Sequence, residues 1–177
     1  SRYPMTDHDS RYVSESHDVY SIHSRKVISA KIRVPGIGNI AVYSAHLSWW
    51  EDGFEDQFNR LGAWATKRHS SNVQATFLCG DFNIAAGSQG YALVVNGNQY
   101  EDQLLSVKAE SVFEKIFRVN DPHWRHYLAE DYRIDYIFLN KASYLKAVSG
   151  DVVFTEQDYG RVSDHCGYIM AFEPKIC

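Results

Sequence analysis

Four short polar clusters stand at the ends of apolar runs, where a charged side chain costs free energy unless it is paired or used. In Ser44-Ala45-His46-Leu47, an extended backbone puts Ser44 and His46 on one face, because strand side chains alternate. A single histidine there is more often structural than catalytic. In Leu78-Cys79-Gly80-Asp81-Phe82-Asn83, an apolar run delivers Asp81 and Asn83 to one face, after a glycine that lets other groups come close. A carboxylate beside an amide suits orienting a water and holding a phosphate oxygen; the plainer alternative is an Asx turn capping the next segment. In Tyr132-Arg133-Ile134-Asp135-Tyr136-Ile137-Phe138, an aspartate inside so apolar a run needs a partner. Arg133, on the same face, is the plain one; a histidine from another strand is the chemically interesting one. In Val162-Ser163-Asp164-His165-Cys166-Gly167, neighbouring Asp164 and His165 diverge if extended. His165 must then find its orienting carboxylate elsewhere, and Asp135 is the natural candidate. That pairing would set the imidazole tautomer and favour its protonated form, leaving Asp164 free for a metal or for an attacking water.

The runs that carry these clusters read as a layered domain. Ser1 to Asp18 is polar and irregular. Arg25 to Val34 and Asn39 to Leu47 are β-branched-rich and separated by Pro35-Gly36-Ile37-Gly38, the signature of a hairpin. Phe54 to His69 is expected to be helical, with Phe54, Phe58, Leu61 and Ala65 at helical spacing. Ala75 to Gly80, Tyr132 to Asn140, Val148 to Phe154 and Gly167 to Phe172 read as strands. Between them, Tyr91 to Leu105 and Val107 to Phe117 are ambiguous, with helical turns expected. Strands mixed with a helix and hairpins imply an α/β or α+β domain with buried sheets.

The bulk properties narrow the chemistry. With 177 residues, 45% hydrophobic and 23% charged, one domain with a real core is expected. No run of about 18 apolar residues marks a membrane span, and no signal-peptide pattern opens the chain. Cys79, Cys166 and Cys177 have no metal-like spacing and suit a reducing compartment, so a cytoplasmic location is expected. The net charge of -4 disfavours a nonspecific grip on a long polyanion and suits a small phosphorylated substrate.

Taken in order, His46-Leu47, Gly80-Asp81-Phe82-Asn83, Arg133-Ile134-Asp135-Tyr136 and Ser163-Asp164-His165 resemble the endonuclease/exonuclease/phosphatase superfamily, also called the deoxyribonuclease I-like fold. Ser1-Arg2-Tyr3-Pro4 is similar to that family's strand-ending Ser-Arg-x-Pro, so the likeness spans almost the whole chain. It implies a four-layer αββα sandwich and hydrolysis of phosphate esters by in-line attack. It assigns His46 and His165 to the scissile phosphate and Asp81 to the nucleophilic water. Asn83 would hold that water or the phosphate, Asp135 would orient His165, and Asp164 would serve a Mg²⁺ or Mn²⁺ site. A narrower likeness lies in His46-Leu47-Ser48-Trp49-Trp50, which looks like the maltose 6'-phosphate phosphatase branch. Trp49 and Trp50 are therefore expected to line a sugar pocket by stacking, or else to clamp the following helix. Trp124, in the Asp121-Pro122-His123-Trp124-Arg125-His126-Tyr127 loop, occupies a stretch where such proteins place substrate contacts.

The chain departs from the family pattern at its start. The superfamily opens with an Asn-bearing strand and then a strand ending in a metal-binding glutamate, and neither is present in these residues. Residues 1 to 177 are thus expected to form the carboxyl-terminal portion of a single, here incomplete, domain, with an amino-terminal segment as its partner. The implied function is a metal-dependent phosphomonoesterase on a sugar phosphate or similar small molecule. The alternatives are a phosphodiesterase, either nuclease or sphingomyelinase-like, and a catalytically incomplete fragment retained for binding.

Overall fold

The computed structural model describes residues 1–15, 24–97, 99–107, 133–154, 163 and 165–175. Among them, six strands form one sheet in the order β1-β2-β3-β4-β6-β5. These are β1 (Met5–Tyr12), β2 (Lys26–Val34), β3 (Gly38–His46), β4 (Val73–Asp81), β5 (Tyr100–Asp102) and β6 (Asp135–Asn140). Strands β7 (Leu145–Val153) and β8 (Gly167–Pro174) pair as a separate two-stranded sheet. Helices α1 (Phe54–Arg68), α2 (Gln89–Asn96) and the short α3 (Leu104–Val107) complete the described elements.

Helix α1 forms where the apolar spacing expects it. Phe54, Phe58, Leu61, Trp64 and Ala65 make its buried face, Glu55 and Asp56 occupy the first turn, and Lys67 and Arg68 the last. Those charges complement the helix dipole at both ends. The helix is the crossover between β3 and β4, which are parallel and so need one. Its apolar face joins Tyr43, Leu78, Tyr136 and Phe138 in the larger core on one side of the sheet. On the other side, Ala75, Phe77, Leu139 and Leu145 form a smaller core, sealed by Phe172 from β8.

Gly80 is the one position where the parallel pair tolerates no side chain. Its φ is +123°, and a Cβ there would lie 2.1 Å from the Ala45 carbonyl oxygen. Close approach at Gly80 is what brings the next residues, His46 and Asp81, into register.

Two features differ from the sequence reading. The opening residues, expected to be irregular, contain an edge strand, because pairing to β2 and side-chain contacts override weak local propensity. Asp7 pairs with Lys31 and Arg68, and Arg11 and Arg68 both lie over the Trp64 ring. The ambiguous stretch after Gly80 resolves into α2, β5 and α3; residues 108–117 lie outside the described residues.

The inner face of the large sheet is covered unevenly. Over β4 and β6 it carries the small sheet, but over β1–β3 a groove of about 680 Å³ is lined by Met5, Ile28, Ala30, Ile32 and Val42. Ile28 is 57% exposed. Among the described residues there are a helical layer and two sheet layers, and no helix long and apolar enough to cross a membrane.

Candidate active site

The register of three adjacent strands assembles the site. His46 ends β3 opposite Asp81, which ends β4, and Asp81 lies opposite Asp135, which begins β6. The loop entering β8 then adds His165. Its Nδ1 lies 2.6 Å from Asp135 Oδ2, and its Nε2 lies 3.9 Å from Asp81 Oδ2. On the far side of Asp81, His46 Nε2 is 3.5 Å from the same oxygen. The result is a row, His46–Asp81–His165–Asp135, on the rim of the sheet. Three grooves lie elsewhere on the molecule, and His46, Asp81, Asp135 and His165 line none of them.

The electrostatics follow from two carboxylates at one level of an antiparallel pair. Burial, and then the Asp135 charge, push Asp81 up to about 6, against the Asn83 amide, His165 and Arg25, which pull it down. A carboxylate with that pKa can take a proton near neutral pH. Burial, then Arg25 and His165, lower His46 and so favour its neutral ring, with Asp135 opposing them. With Asp135 on the Nδ1 side of His165, a proton on Nδ1 leaves Nε2 turned toward Asp81 as the reactive atom. Arg133, the plain candidate partner for Asp135, forms its ion pair with Asp102 instead.

Asn83 has a structural task. Its φ is +51°, its backbone N–H donates to Asp81 Oδ1 at 2.9 Å, and its side-chain amide donates to the Leu47 carbonyl at 2.8 Å. The Asx turn and the site are thus the same feature: the turn holds the Asp81 carboxylate and ties it to the backbone after His46. The two tryptophans divide. Trp49 is 37% exposed beside the site strand. Trp50 packs on Phe54 and lies within reach of Gly90 in α2, the helix-clamp alternative. Asp164 and Trp124 lie outside the described residues, as do His123 and His126.

Three residues at the site carried little signal in the sequence. Arg25, just before β2, places a positive charge within electrostatic reach of both His46 and Asp81. Its Nε donates to Ser48 Oγ at 3.1 Å, and Ser48 in turn is held by Gln57. An arginine opening an apolar strand is unremarkable by itself. Gln57 was more legible, as a polar residue on the buried face of α1.

A divalent cation is the group the sequence resemblance implies. Among the described residues, no three His, Cys, Asp or Glu side chains are arranged to hold one. These residues alone do not make a metal cage.

Comparison with known proteins supplies the frame for this geometry. The profile of the Endonuclease/Exonuclease/phosphatase family matches residues 1–165. The chain belongs to that family. Members of the family hydrolyse phosphate esters, and the fold is the mixed, sheet-rich deoxyribonuclease I-like type. An endonuclease/exonuclease/phosphatase family protein from Leptotrichia buccalis is 26% identical with a TM-score of 0.78, over 98% of this chain and 63% of that one. The chain therefore spans less than two thirds of that relative's length. A mannosyl-6-phosphatase from Bacteroides thetaiotaomicron aligns at 15% identity and TM-score 0.63, over 97% of this chain and 67% of that one. The human Nocturnin catalytic domain, solved with a bound sulfate, aligns at 17% and 0.63, over 96% and 60%. At those identities the last two likenesses establish the fold alone. No curated protein matches the sequence.

Proposed function

We propose that this family member is a metal-dependent phosphoesterase that cleaves a small phosphomonoester, with a sugar phosphate as the preferred class. The observation that carries the reading is the row His46–Asp81–His165–Asp135, flanked by the Arg25 guanidinium. In the proposed reaction, water adds to phosphorus while the ester P–O bond breaks. Asp81 receives a proton from the water, and an imidazole proton passes to the leaving alkoxide, giving inorganic phosphate and an alcohol. Arg25 and the imidazole N–H groups would stabilise charge on the phosphoryl oxygens, the larger part of catalysis in such transfers. The cation, Mg²⁺ or Mn²⁺ with Asp164 as a ligand, would supply further charge stabilisation.

Small substrates fit a chain of net charge -4 better than a long polyanion does. The half-exposed Trp49 offers an apolar face for a sugar ring, and a fold neighbour is a sugar phosphatase. Phosphodiester cleavage is the second reading, favoured by the openness of the rim, where His46 is 60% exposed. The proposal includes a partner: an amino-terminal segment whose strands lie against Met5, Ile28, Ile32 and Val42. Covering that face would remove an aggregation hazard.

The deciding experiment is a panel of sugar phosphates, aryl phosphates, a phosphodiester and DNA. It is run with Mg²⁺, with Mn²⁺ and with chelator, with and without the amino-terminal segment. Metal-dependent release of inorganic phosphate from a sugar phosphate is expected to be fastest. Faster cleavage of DNA or of the diester would replace this reading with the second.

A further inference from the structure

Three polar residues from three separate elements meet beside the rim. Ser48, just after β3, is 1% exposed, and Gln57, on the inward face of α1, is 5% exposed. They bond reciprocally: the Ser48 N–H donates to Gln57 Oε1 at 2.9 Å, and Gln57 Nε2 donates to Ser48 Oγ at 3.0 Å. That arrangement satisfies most of both side chains, as burial demands. It also leaves Ser48 Oγ facing Arg25, whose Nε donates to it at 3.1 Å. The Arg25 backbone is fixed as well, since its N–H donates to Ser14 Oγ at 3.1 Å and its carbonyl accepts from the Val13 N–H at 2.9 Å.

We infer that the buried Ser48–Gln57 pair is a positioning device that aims the Arg25 guanidinium at the phosphoryl group of the substrate. The inference rests on the phosphoesterase reading and assigns the anion-binding arm of that site. Its chemistry lies in the choice of partner. A carboxylate on Nε would neutralise the guanidinium and compete with phosphate for the same fork. A hydroxyl, itself locked by an amide, orients the planar group and leaves its charge intact. Among the described residues the two terminal nitrogens of Arg25 make no hydrogen bond, so the fork remains for a tetrahedral anion. The bond to Ser48, two residues after His46, keeps the guanidinium beside the reacting row, within electrostatic reach of both His46 and Asp81. Helix α1 thereby does more than cross between β3 and β4: through Gln57 its first turns set the anion-binding geometry.

The test is binding of inorganic phosphate to the 177-residue chain, followed by phosphorus NMR titration. It uses Arg25→Gln, Ser48→Ala and the double variant, with thermal unfolding of each. Arg25→Gln is expected to weaken phosphate by about tenfold to a hundredfold, the scale of hydrogen bonds to a charged group. Ser48→Ala should weaken it by roughly three- to tenfold, the scale of coupling between neighbours. In the Arg25→Gln background, Ser48→Ala should have no further effect. A merely structural serine would weaken binding equally in both backgrounds, and that result overturns the inference. So does phosphate binding that ignores both substitutions, or that is absent from the wild type. If Ser48→Ala fails to fold, Ser48→Cys keeps the volume while weakening the acceptor and is judged by the same cycle. Phosphate binding that follows this pattern without any ester hydrolysis in the substrate panel would sink the phosphoesterase reading and leave the positioning device standing.

Discussion

Arg133 and Asp135 stand on either side of Ile134, and each belongs to an ion pair, yet the two pairs lead different lives. Arg133 and Asp102 have side chains 0% and 2% exposed, with the Arg133 guanidinium also over the Tyr136 ring. Tyr91 adds a hydrogen bond to Asp102, and burial together with that carboxylate pushes its phenol up to about 12, so it remains a donor. His165 and Asp135 are 24% and 22% exposed and open onto the rim. The first pair is sealed and can only hold structure, fastening β5 to the entry of β6. The second keeps access to water and to a substrate. Arg133 precedes β6 and is buried against β5, whereas Asp135 begins β6 at the rim, and that short step along the chain separates a clamp from a reactive pair.

That contrast can be broken most forcefully at the sealed pair. Arg133→Met should cost about 3–5 kcal/mol of stability, because Asp102 would be left as an uncompensated buried charge. Adding Asp102→Leu should return much of the loss. Chemical denaturation measures both, and a single variant as stable as the wild type would show that the pair is not the clamp described. At the open pair the prediction inverts. Asp135→Asn should lower turnover by roughly a hundredfold with little change in the Michaelis constant and in the unfolding midpoint. Undiminished turnover would remove Asp135 from the catalytic set.

A third test lies in pH. Asp81 has a folded pKa of about 6, above its ordinary 3.8. The folded state therefore favours the protonated acid, and the stability this contributes is present below 3.8 and lost as pH rises through about 6. Asp81→Asn removes the titration. Its advantage over the wild type in metal-free protein should be absent below pH 4, grow between 4 and 6, and level off above 6 at about 3 kcal/mol. The same variant should be inactive. Equal melting temperatures at every pH would show that burying Asp81 beside Asp135 does not strain the fold. The smallest effect is expected at the tryptophans. Trp49→Ala should raise the Michaelis constant for a sugar phosphate by about tenfold while sparing an aryl phosphate, on the scale of ring stacking. Trp50→Ala should act chiefly on stability, since it packs on Phe54.

Much of this was readable from residue order, for reasons specific to each element. The hairpin β2–β3 and helix α1 are announced by local signals: Pro35-Gly36 between β-branched runs, and apolar residues at helical spacing. The meeting of Asp135 with His165 followed from divergence of adjacent residues in an extended chain. Strand β1 was not readable, because Met5–Tyr12 becomes a strand through its pairing with β2 and the Arg11–Trp64–Arg68 contacts, none of which is local. Asn83 was read either as holding a water or phosphate oxygen or as part of an Asx turn; the turn closes on Asp81, and the amide nitrogen donates to Leu47, a bond the residue order did not announce. Sequence pattern shows that a polar group is present, not which of its hydrogen bonds is already made. Arg25 and Ser48 escaped for the same reason, since their meaning arises from a contact between residues 23 positions apart.

The register that builds the site also has a consequence in time. His46, Asp81 and Asp135 become neighbours only when β4 has docked beside β3 through a helical crossover and β6 has returned from across a long intervening stretch. The β1–β2–β3 meander, by contrast, joins nearest neighbours in the chain. Pairings between distant segments carry a loop-closure cost that local ones do not, and they are correspondingly slow to form. The reactive row is thus expected to be completed late in folding, on top of a meander and a helix that can assemble first, so that chains on the way to the native state would carry the side chains of the row while lacking its geometry.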